Sequence, residues 1–359
     1  MKVLLACDWF LKYTAGLARG LADAGAEVTL LTRDHDFEFG SQPGAMREFV
    51  GATLDGRARH VEIGGRVRDL GRFGEVLRMR RELGRWGADV VHVQDSLPHD
   101  MRLAVASHYP WPRYAMTVHD PAPHPGDSIP STRVRLIRRH LRRHAGVLFA
   151  HSPVLVEELK ELGEVGGPTE VVPHGFSEAE VAPLPTQPSL LFFGRISHYK
   201  GLDTLLDAMP AVWERIPEVT LTIAGSGEEV EHELLADPRV NLRFEHVPEA
   251  AVPGLFADAS CVVLPYRQAS QSGIGSEAKQ YGRAMIATTV GGLPDLIGPE
   301  CGRLVAPEDP PALAEAIVEV VGTPGLAAEL GRGATGSVGE ASWQSVGEQT
   351  LAAYQRYLF

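Results

Sequence analysis

Ser189-Leu-Leu-Phe-Phe193-Gly194-Arg195-Ile196-Ser197-His198-Tyr199-Lys200-Gly201 is the stretch on which the fold reading turns. Its first five residues are apolar without alternation, the pattern of a strand buried on both faces. Gly194 ends the run, and from Gly201 to Arg215 apolar residues return at helical spacing. A short apolar strand that feeds directly into a helix is half of a parallel βαβ unit. Arg195 and Lys200 fall on the connecting loop, where the free N–H groups and dipole of a following helix favour an anion.

Downstream the alternation continues. Strands are expected at Val219–Ala224, Val240–Phe244, Ser260–Leu264 and Ala284–Thr288, with helices near 228–235 and at Val252–Ala257, Ser276–Gly282 and Pro311–Val321. Upstream, Glu178 to Pro188 carries Pro183, Pro185 and Pro188 without a helical or strand period, and reads as a linker. Before it the same pattern appears once already. Lys2–Cys7, Val28–Thr32, Asp89–Val93, Tyr114–Val118, Gly146–Ala150 and Glu170–Val172 read as strands; residues 14–25, Arg133–His144 and Pro153–Leu162 read as helices. The expected fold class is α/β, with two Rossmann-like domains of similar size facing each other across a ligand-binding cleft.

Charge bounds the partners. The 359 residues carry a formal net charge of −12, which speaks against a general nucleic-acid binder. The acidity is uneven: residues 1–185 hold 23 basic and 24 acidic side chains, residues 186–359 only 11 basic and 22 acidic. Two Arg-rich segments lie in the first half, Arg66–Arg85 and Arg133–Arg143. In the second, Arg135, Arg138, Arg139 and Arg142 share one helical face, while Val134, Ile137 and Leu141 lie on another. Such a helix is either a solvated surface element or a contact for anionic lipid. Cys7, Cys261 and Cys301 are odd in number and far apart, which suits a reducing compartment and provides no disulfide or zinc framework. The apolar start is broken by Asp8 and is too short for a signal-peptide core. The expected location is therefore cytoplasmic; the Arg-rich helices read first as solvated surface, with peripheral contact at the inner membrane face as the alternative.

Two further loops sit between a strand and a helix. Ala224-Gly225-Ser226-Gly227 follows Val219–Ala224 but lacks the last glycine of a dinucleotide fingerprint. Gln271-Ser272-Gly273-Ile274-Gly275-Ser276-Glu277-Ala278 follows the strand ending Pro265-Tyr266; its small residues allow close approach of backbone to a phosphate. Glu277 is expected in the first helical turn, where a carboxylate can accept from two adjacent hydroxyls of a ribose. His119-Asp120-x-x-x-His124-x-x-Asp127 has ligand-type residues but lies in a Pro-rich loop without a helical frame, so no metal is expected. No nucleophile elbow is present.

In order and spacing these segments resemble the family-4 retaining glycosyltransferases of the GT-B fold. That family carries G-R-x-x-x-x-K-G, A-G-x-G, a Pro-Tyr strand end, a Ser-Gly or Phe-Gly loop, Glu-Ala and V-G-G-x-P-[DE]. Here these stand as Gly194-Arg195 with Lys200-Gly201, Ala224-Gly225-Ser226-Gly227, Pro265-Tyr266, Ser272-Gly273, Glu277-Ala278 and Val290-Gly291-Gly292-Leu293-Pro294-Asp295. In the first half, Thr117-Val118-His119-Asp120 and Val172-Pro173-His174-Gly175 are similar to the family's T-x-H-D and I-P-N-G strand ends. Leu17-Ala18 to Glu27-Val28 is similar to its L-A-x-x-L-x-x-x-G-H-E-V.

The resemblance implies residues 1–182 as an acceptor-side domain, 183–342 as a nucleotide-sugar domain, and 343–359 as a helix crossing back to the first. It implies Arg195 and Lys200 as holders of the donor diphosphate and Glu277 as ribose contact. Ser272, Gly273 and Ile274, with Gly225 and Gly227 in a neighbouring loop, are implied at the donor, and His119 beside the reacting sugar. The implied reaction is sugar transfer with retained configuration from a nucleotide-diphosphate donor to a hydroxyl of a saccharide, lipid-linked saccharide or small metabolite. It uses no cofactor, the two cations replacing a metal at the leaving diphosphate. Two departures stand out. The family's Glu eight residues before the ribose Glu is Ala269 here, with Gln271 able to take over the contact or a deoxysugar donor removing the need for it. The family's Gly-Gly after the first strand is replaced around Asp8 and Trp9, so Asp8, Trp9, Tyr13 and Asp120 become candidates for the acceptor side. Alternatives are a sugar-nucleotide 2-epimerase of the same fold and a non-catalytic sugar-nucleotide-binding homologue.

Overall fold

The computed structural model describes residues 1–33, 36–63, 73–95, 113–122, 131–176, 179–270, 272–336 and 341–359. The chain divides into two compact units, the first built from Met1–Pro121, Ile129–Gly175 and Ala341–Phe359, the second mainly from Phe176–Glu340.

The first unit holds a seven-stranded parallel sheet of order β3-β2-β1-β4-β5-β6-β7. Its strands are β1 (Lys2–Cys7), β2 (Glu27–Arg33), β3 (Arg59–Ile63), β4 (Val90–Gln94), β5 (Tyr114–Thr117), β6 (Val147–Ala150) and β7 (Thr169–Val171). Helices α1 (Leu11–Asp23), α2 (Ala45–Leu54), α3 (Phe73–Trp86), α4 (Thr132–His144) and α5 (Pro153–Glu161) accompany them. Val3 to Cys7 are all buried because helices cover both faces of the sheet, which is why β1 shows no alternation. Ser131 caps α4 by accepting from Val134 N, and Ser152 caps α5 ahead of Pro153 at the first helical position.

The second unit repeats the plan with six parallel strands of order β10-β9-β8-β11-β12-β13. These are β8 (Ser189–Phe193), β9 (Thr220–Gly225), β10 (Val240–Phe244), β11 (Cys261–Leu264), β12 (Ala284–Thr288) and β13 (Gly302–Val305). The helices are α6 (Leu202–Arg215), α7 (Val252–Ala257), α8 (Gly273–Gln280), α9 (Leu293–Leu296), α10 (Pro310–Gly322) and α11 (Leu326–Gly336). In each sheet the order reverses beside the first strand, at β1/β4 and at β8/β11. Open sheets bind ligands beyond the carboxyl ends of the strands at such a switch.

The last helix, α12 (Trp343–Leu358), belongs to the first unit and packs on α1. The approach is close enough that only glycine fits at the crossing. A Cβ on Gly20 would lie 1.9 Å from Trp343 O, and one on Gly347 would lie 2.1 Å from the Gly20 carbonyl carbon. Tyr354 of α12 reaches the sheet and bonds His92 Nδ1, whose Nε2 meets Thr117 Oγ1 at 2.7 Å.

Several expected elements shift. The 228–235 stretch is helical only where the 3-10 turn Glu233–Ala236 overlaps it. Helix α8 starts at Gly273 rather than Ser276, because the Ser272 hydroxyl accepts from Gly275 N and draws the N-terminus back. Among the described residues, no helix is long and apolar enough to cross a membrane.

Candidate active site

In the second unit the loops after β8 and β11 flank the switch point; the first carries Arg195 and Lys200, the second Ser272 and Gly273. The Gly194–Gly201 loop is zipped to the end of β9: Gly194 N donates to Ala224 O at 3.0 Å, Ile196 N to Ser226 O at 2.9 Å and Glu228 N to Ile196 O at 2.8 Å. This explains Gly225 and Gly227. A Cβ there would lie 1.8 Å from Gly194 O and 2.0 Å from Ile196 O. Both glycines brace the backbone that carries Arg195. Arg267, which the sequence reading passed over, clamps the loop from the other side. It pairs with both Asp203 oxygens at 2.8 and 2.7 Å, reaches His198 O at 2.8 Å, and its N–H donates to Tyr199 O at 2.8 Å. A bidentate pair of this kind fixes geometry more than it adds stability.

On this frame the Lys200 ammonium lies 3.7 Å from the centroid of the Tyr266 ring, and the Arg195 guanidinium carbon 5.4 Å from that of Tyr199. A cation over an aromatic face is held electrostatically by the ring quadrupole. The Tyr266 hydroxyl in turn lies 3.2 Å from Ser272 Oγ, the cap of α8. A Cβ on Gly194 would touch Ile274 at 3.4 Å. Two cations and a helix N-terminus therefore share one end of the sheet. The first-turn N–H groups of α8 at Gly273 and Ile274 point toward that end.

Glu277 is half-buried and sits past the first turn of α8, one consequence of the earlier helix start. Ala269 is buried in the apolar cluster with Tyr266 and Leu293, against the Gly291 backbone. Gln271 lies outside the described residues, as do His124 and Asp127.

In the first unit His119 follows β5 and is 2% exposed. Its ring stacks on Phe10 with centroids 3.8 Å apart and meets the Tyr13 edge at 4.8 Å. Its Nε2 lies 2.8 Å from Gln94 Oε1, and its Nδ1 lies 3.1 Å from His151 Nε2. His151 Nδ1 lies 3.0 Å from Val172 O. His174 stands beside Tyr13 and His151. Burial, reinforced by the neighbouring imidazoles, holds His119 well below the usual histidine range; burial likewise lowers His151 to about 3 and His174 to about 4. All three rings are neutral at physiological pH.

Of the acceptor-side candidates, only Trp9 is exposed, at 45%; Asp8 and Tyr13 are buried and Asp120 is half-buried. Tyr13 packs among His119, His151, His174 and Trp343. Two features here escaped the sequence reading. Phe10 adopts a left-handed conformation (φ 62°), which costs a non-glycine residue about 1–3 kcal/mol. Glu38 accepts from Leu11 N with both oxygens, at 3.0 and 2.9 Å, and so closes the N-terminus of α1 with a carboxylate. Burial raises Glu38 to about 7 despite that bond.

The basic face expected on α4 is corrected. Arg138 and Arg142 both turn inward and bond Asp95 Oδ2 at 2.5 Å, and Arg142 also pairs with Glu164. Both guanidinium groups bond Asp120 O as well, at 3.2 and 3.1 Å. Arg142 is 1% exposed. Only Arg135 and Arg139 of the four remain at the surface. Helical periodicity groups residues on a face; it does not show that an acid from a neighbouring strand end will bury part of it.

Comparison with known proteins fits this geometry. The family model "Glycosyl transferases group 1" matches residues 187–323, and "Glycosyl transferase 4-like domain" matches residues 11–175. The chain belongs to the family-4 type glycosyltransferases of the GT-B fold. Among its relatives, glycogen synthase of Mycobacterium tuberculosis is 26% identical over 351 residues, covering 92% of this chain and 80% of that one. D-inositol 3-phosphate glycosyltransferase of Actinosynnema mirum is 28% identical over 345 residues, covering 87% and 77%. Among solved structures, sucrose-phosphate synthase from Thermosynechococcus elongatus superposes with a TM-score of 0.75 at 20% identity, covering 99% and 98%. Anabaena HepE, in complex with UDP and glucose, superposes with a TM-score of 0.73 at 16% identity, covering 99% and 100%.

Proposed function

We propose that this glycosyltransferase moves a sugar from a nucleotide-diphosphate donor to a hydroxyl acceptor with retention at the anomeric carbon. The observation that carries the reading is the convergence of Lys200, Arg195 and the capped N-terminus of α8 at one end of the second sheet. The UDP bound in the HepE structure supports a nucleotide donor. In the reaction the acceptor oxygen bonds the anomeric carbon while the bond from that carbon to the diphosphate oxygen breaks. The acceptor proton passes to the leaving phosphate on the same face. Negative charge grows on the diphosphate, and fixed cations and helix N–H groups aimed there lower the barrier without reorganising. Arg195 grips phosphate oxygens with its fork, and Lys200 acts as a point charge. Gly273 and Ile274 offer backbone N–H groups, Glu277 accepts from the ribose hydroxyls, and His119 of the first unit contacts the reacting sugar. No resident cofactor takes part, so turnover persists after treatment with a chelator.

Ala269 refines the donor. Its buried methyl supplies no carboxylate to a sugar hydroxyl, so the reading extends to a donor sugar with fewer or differently placed hydroxyls. A thermal-shift panel of nucleoside diphosphates and their deoxy- and parent-sugar esters tests both points. Stabilisation that disappears in Lys200→Ala supports the diphosphate site, and none in either protein removes it. Tighter binding of the parent hexose ester than of every deoxy ester ends the deoxysugar idea.

A further inference from the structure

We infer that Gln94 is a positioning residue: with His151 it holds His119 as its Nδ1–H tautomer, its own amide N–H donating to the Nε2 lone pair. The inference rests on the reading of His119 given above and adds the direction of every proton around it.

Donors and acceptors alternate along one buried chain of side chains. Val172 O can only accept, so His151 Nδ1 carries the proton of the 3.0 Å contact. A neutral imidazole has one N–H, so His151 Nε2 is an acceptor. His119 Nδ1, 3.1 Å away, must then be the donor, and His119 Nε2 is left with a lone pair. The atom 2.8 Å from that lone pair belongs to the Gln94 amide. Satisfaction requires the amide to present its N–H there, since oxygen against a lone pair repels; which end of an amide faces a neighbour is decided by this bookkeeping. The same assignment resolves a second observation. With the amide the other way round, Gln94 Nε2 is fully buried and has no partner. Turned, it donates to His119, and a carbonyl oxygen occupies the buried position, where under-satisfaction is cheaper.

Both partners are held from behind. Gln94 immediately precedes Asp95 and His119 immediately precedes Asp120. Arg138 and Arg142 bond the Asp95 carboxylate and the Asp120 carbonyl together. One pair of guanidinium groups thus fixes the end of β4 against the turn after β5. The remaining groups facing the ring add no formal charge. Phe10 immediately precedes α1 and Tyr13 lies within it, with the Tyr13 hydroxyl bonded to Thr117; His92 comes from β4, His151 follows β6 and His174 lies on the turn after β7. The Asp120 carboxylate acts electrostatically on His151. A neutral amide beside Nε2 satisfies the lone pair and leaves the ring uncharged. A carboxylate at 94 would instead pull a proton onto Nε2.

The test is nitrogen-15 NMR of the histidine rings in the whole protein, read together with turnover. Wild type is expected to show His119 as the Nδ1–H tautomer, without titration from pH 5.5 to 8. Gln94→Glu is expected to move the proton to Nε2, to make His119 titrate upward into that range, and to lower turnover at least tenfold with the donor KM within threefold. Its turnover should recover as pH rises. Gln94→Asn, which keeps an amide, tests whether loss follows charge or shape, and partial rescue is expected. An Nε2–H tautomer in wild type, or a Gln94→Glu profile identical to wild type, overturns the inference. His119→Ala separates the two levels: full turnover there defeats the role of His119 in the reaction, while the tautomer result stands or falls alone.

Discussion

The Lys200 ammonium lies 3.7 Å from the centre of the Tyr266 ring, and the hydroxyl of that ring lies 3.2 Å from the Ser272 cap of α8. One aromatic side chain thus couples the cation of one strand-to-helix loop to the helix N-terminus of the next. If both serve the same diphosphate, the ring sets their relative position. Tyr266→Phe keeps the ring and should hold kcat/KM within threefold. Tyr266→Leu loses the cation–π contact, worth about 0.5–2 kcal/mol, and should lower kcat/KM by roughly two- to thirtyfold. Lys200→Ala should cost about 10²–10³ in kcat, the scale for removing one donor to developing charge. Steady-state kinetics on the three variants orders them.

The crossing of α1 and α12 leaves no room for a side chain at Gly20. Gly20→Ala should destabilise the first unit by about 1–3 kcal/mol or more, the range for overpacking. Gly51→Ala, where a Cβ meets nothing within 4 Å, should not. Urea midpoints of the two variants make the comparison.

Arg142 is buried with Asp95 and Glu164 as partners. Its replacement by Ala strands a buried carboxylate and should cost about 3–5 kcal/mol. Arg139→Ala, on the exposed face, should stay within about 0.5 kcal/mol. Equal effects in denaturant unfolding would contradict the inward placement of Arg142.

Stability should fall in acid below neutrality. His92 and His151 are lowered to about 3 and His174 to about 4, each by burial. Unfolded histidine takes up its proton near pH 6.5, so below that value the unfolded state binds more protons than the folded one. Their contribution is complete above about pH 6.5 and is lost as pH falls toward 4 and 3. Glu38, raised to about 7 by burial, acts in the opposite sense. Its contribution is complete below the unfolded carboxylate value and fades as pH rises through 7. Melting temperatures from pH 8 to 5 should therefore decline, and Glu38→Gln should steepen the decline.

Much of this was legible in the residues. Continuous apolar strands such as Ser189–Phe193 reveal parallel sheets buried on both faces, and the positions of Arg195, Lys200 and Ser272 on strand-to-helix loops follow from the alternation. What stayed hidden depends on contacts between distant segments. Gly225 and Gly227 look like ligand glycines in sequence, yet their close neighbours are Gly194 and Ile196. Arg138 and Arg142 look like surface charges until Asp95, more than forty residues earlier, meets them. Gln94 carries no motif, and only its 2.8 Å contact with His119 singles it out. The start of α8 was misjudged because Gly273 and Gly275 disfavour a helix locally, while the Ser272 cap offsets them.

The most direct test of the central claim is the anomeric configuration of the product. The nucleotide-diphosphate sugar that stabilises the protein most is supplied with a hydroxyl acceptor, and the new linkage is read from the proton coupling at the anomeric carbon. An α-linked donor should give an α-linked product, formed about 10²–10³ times more slowly by Lys200→Ala. A β-linked product, or equal turnover by Lys200→Ala, would contradict the account.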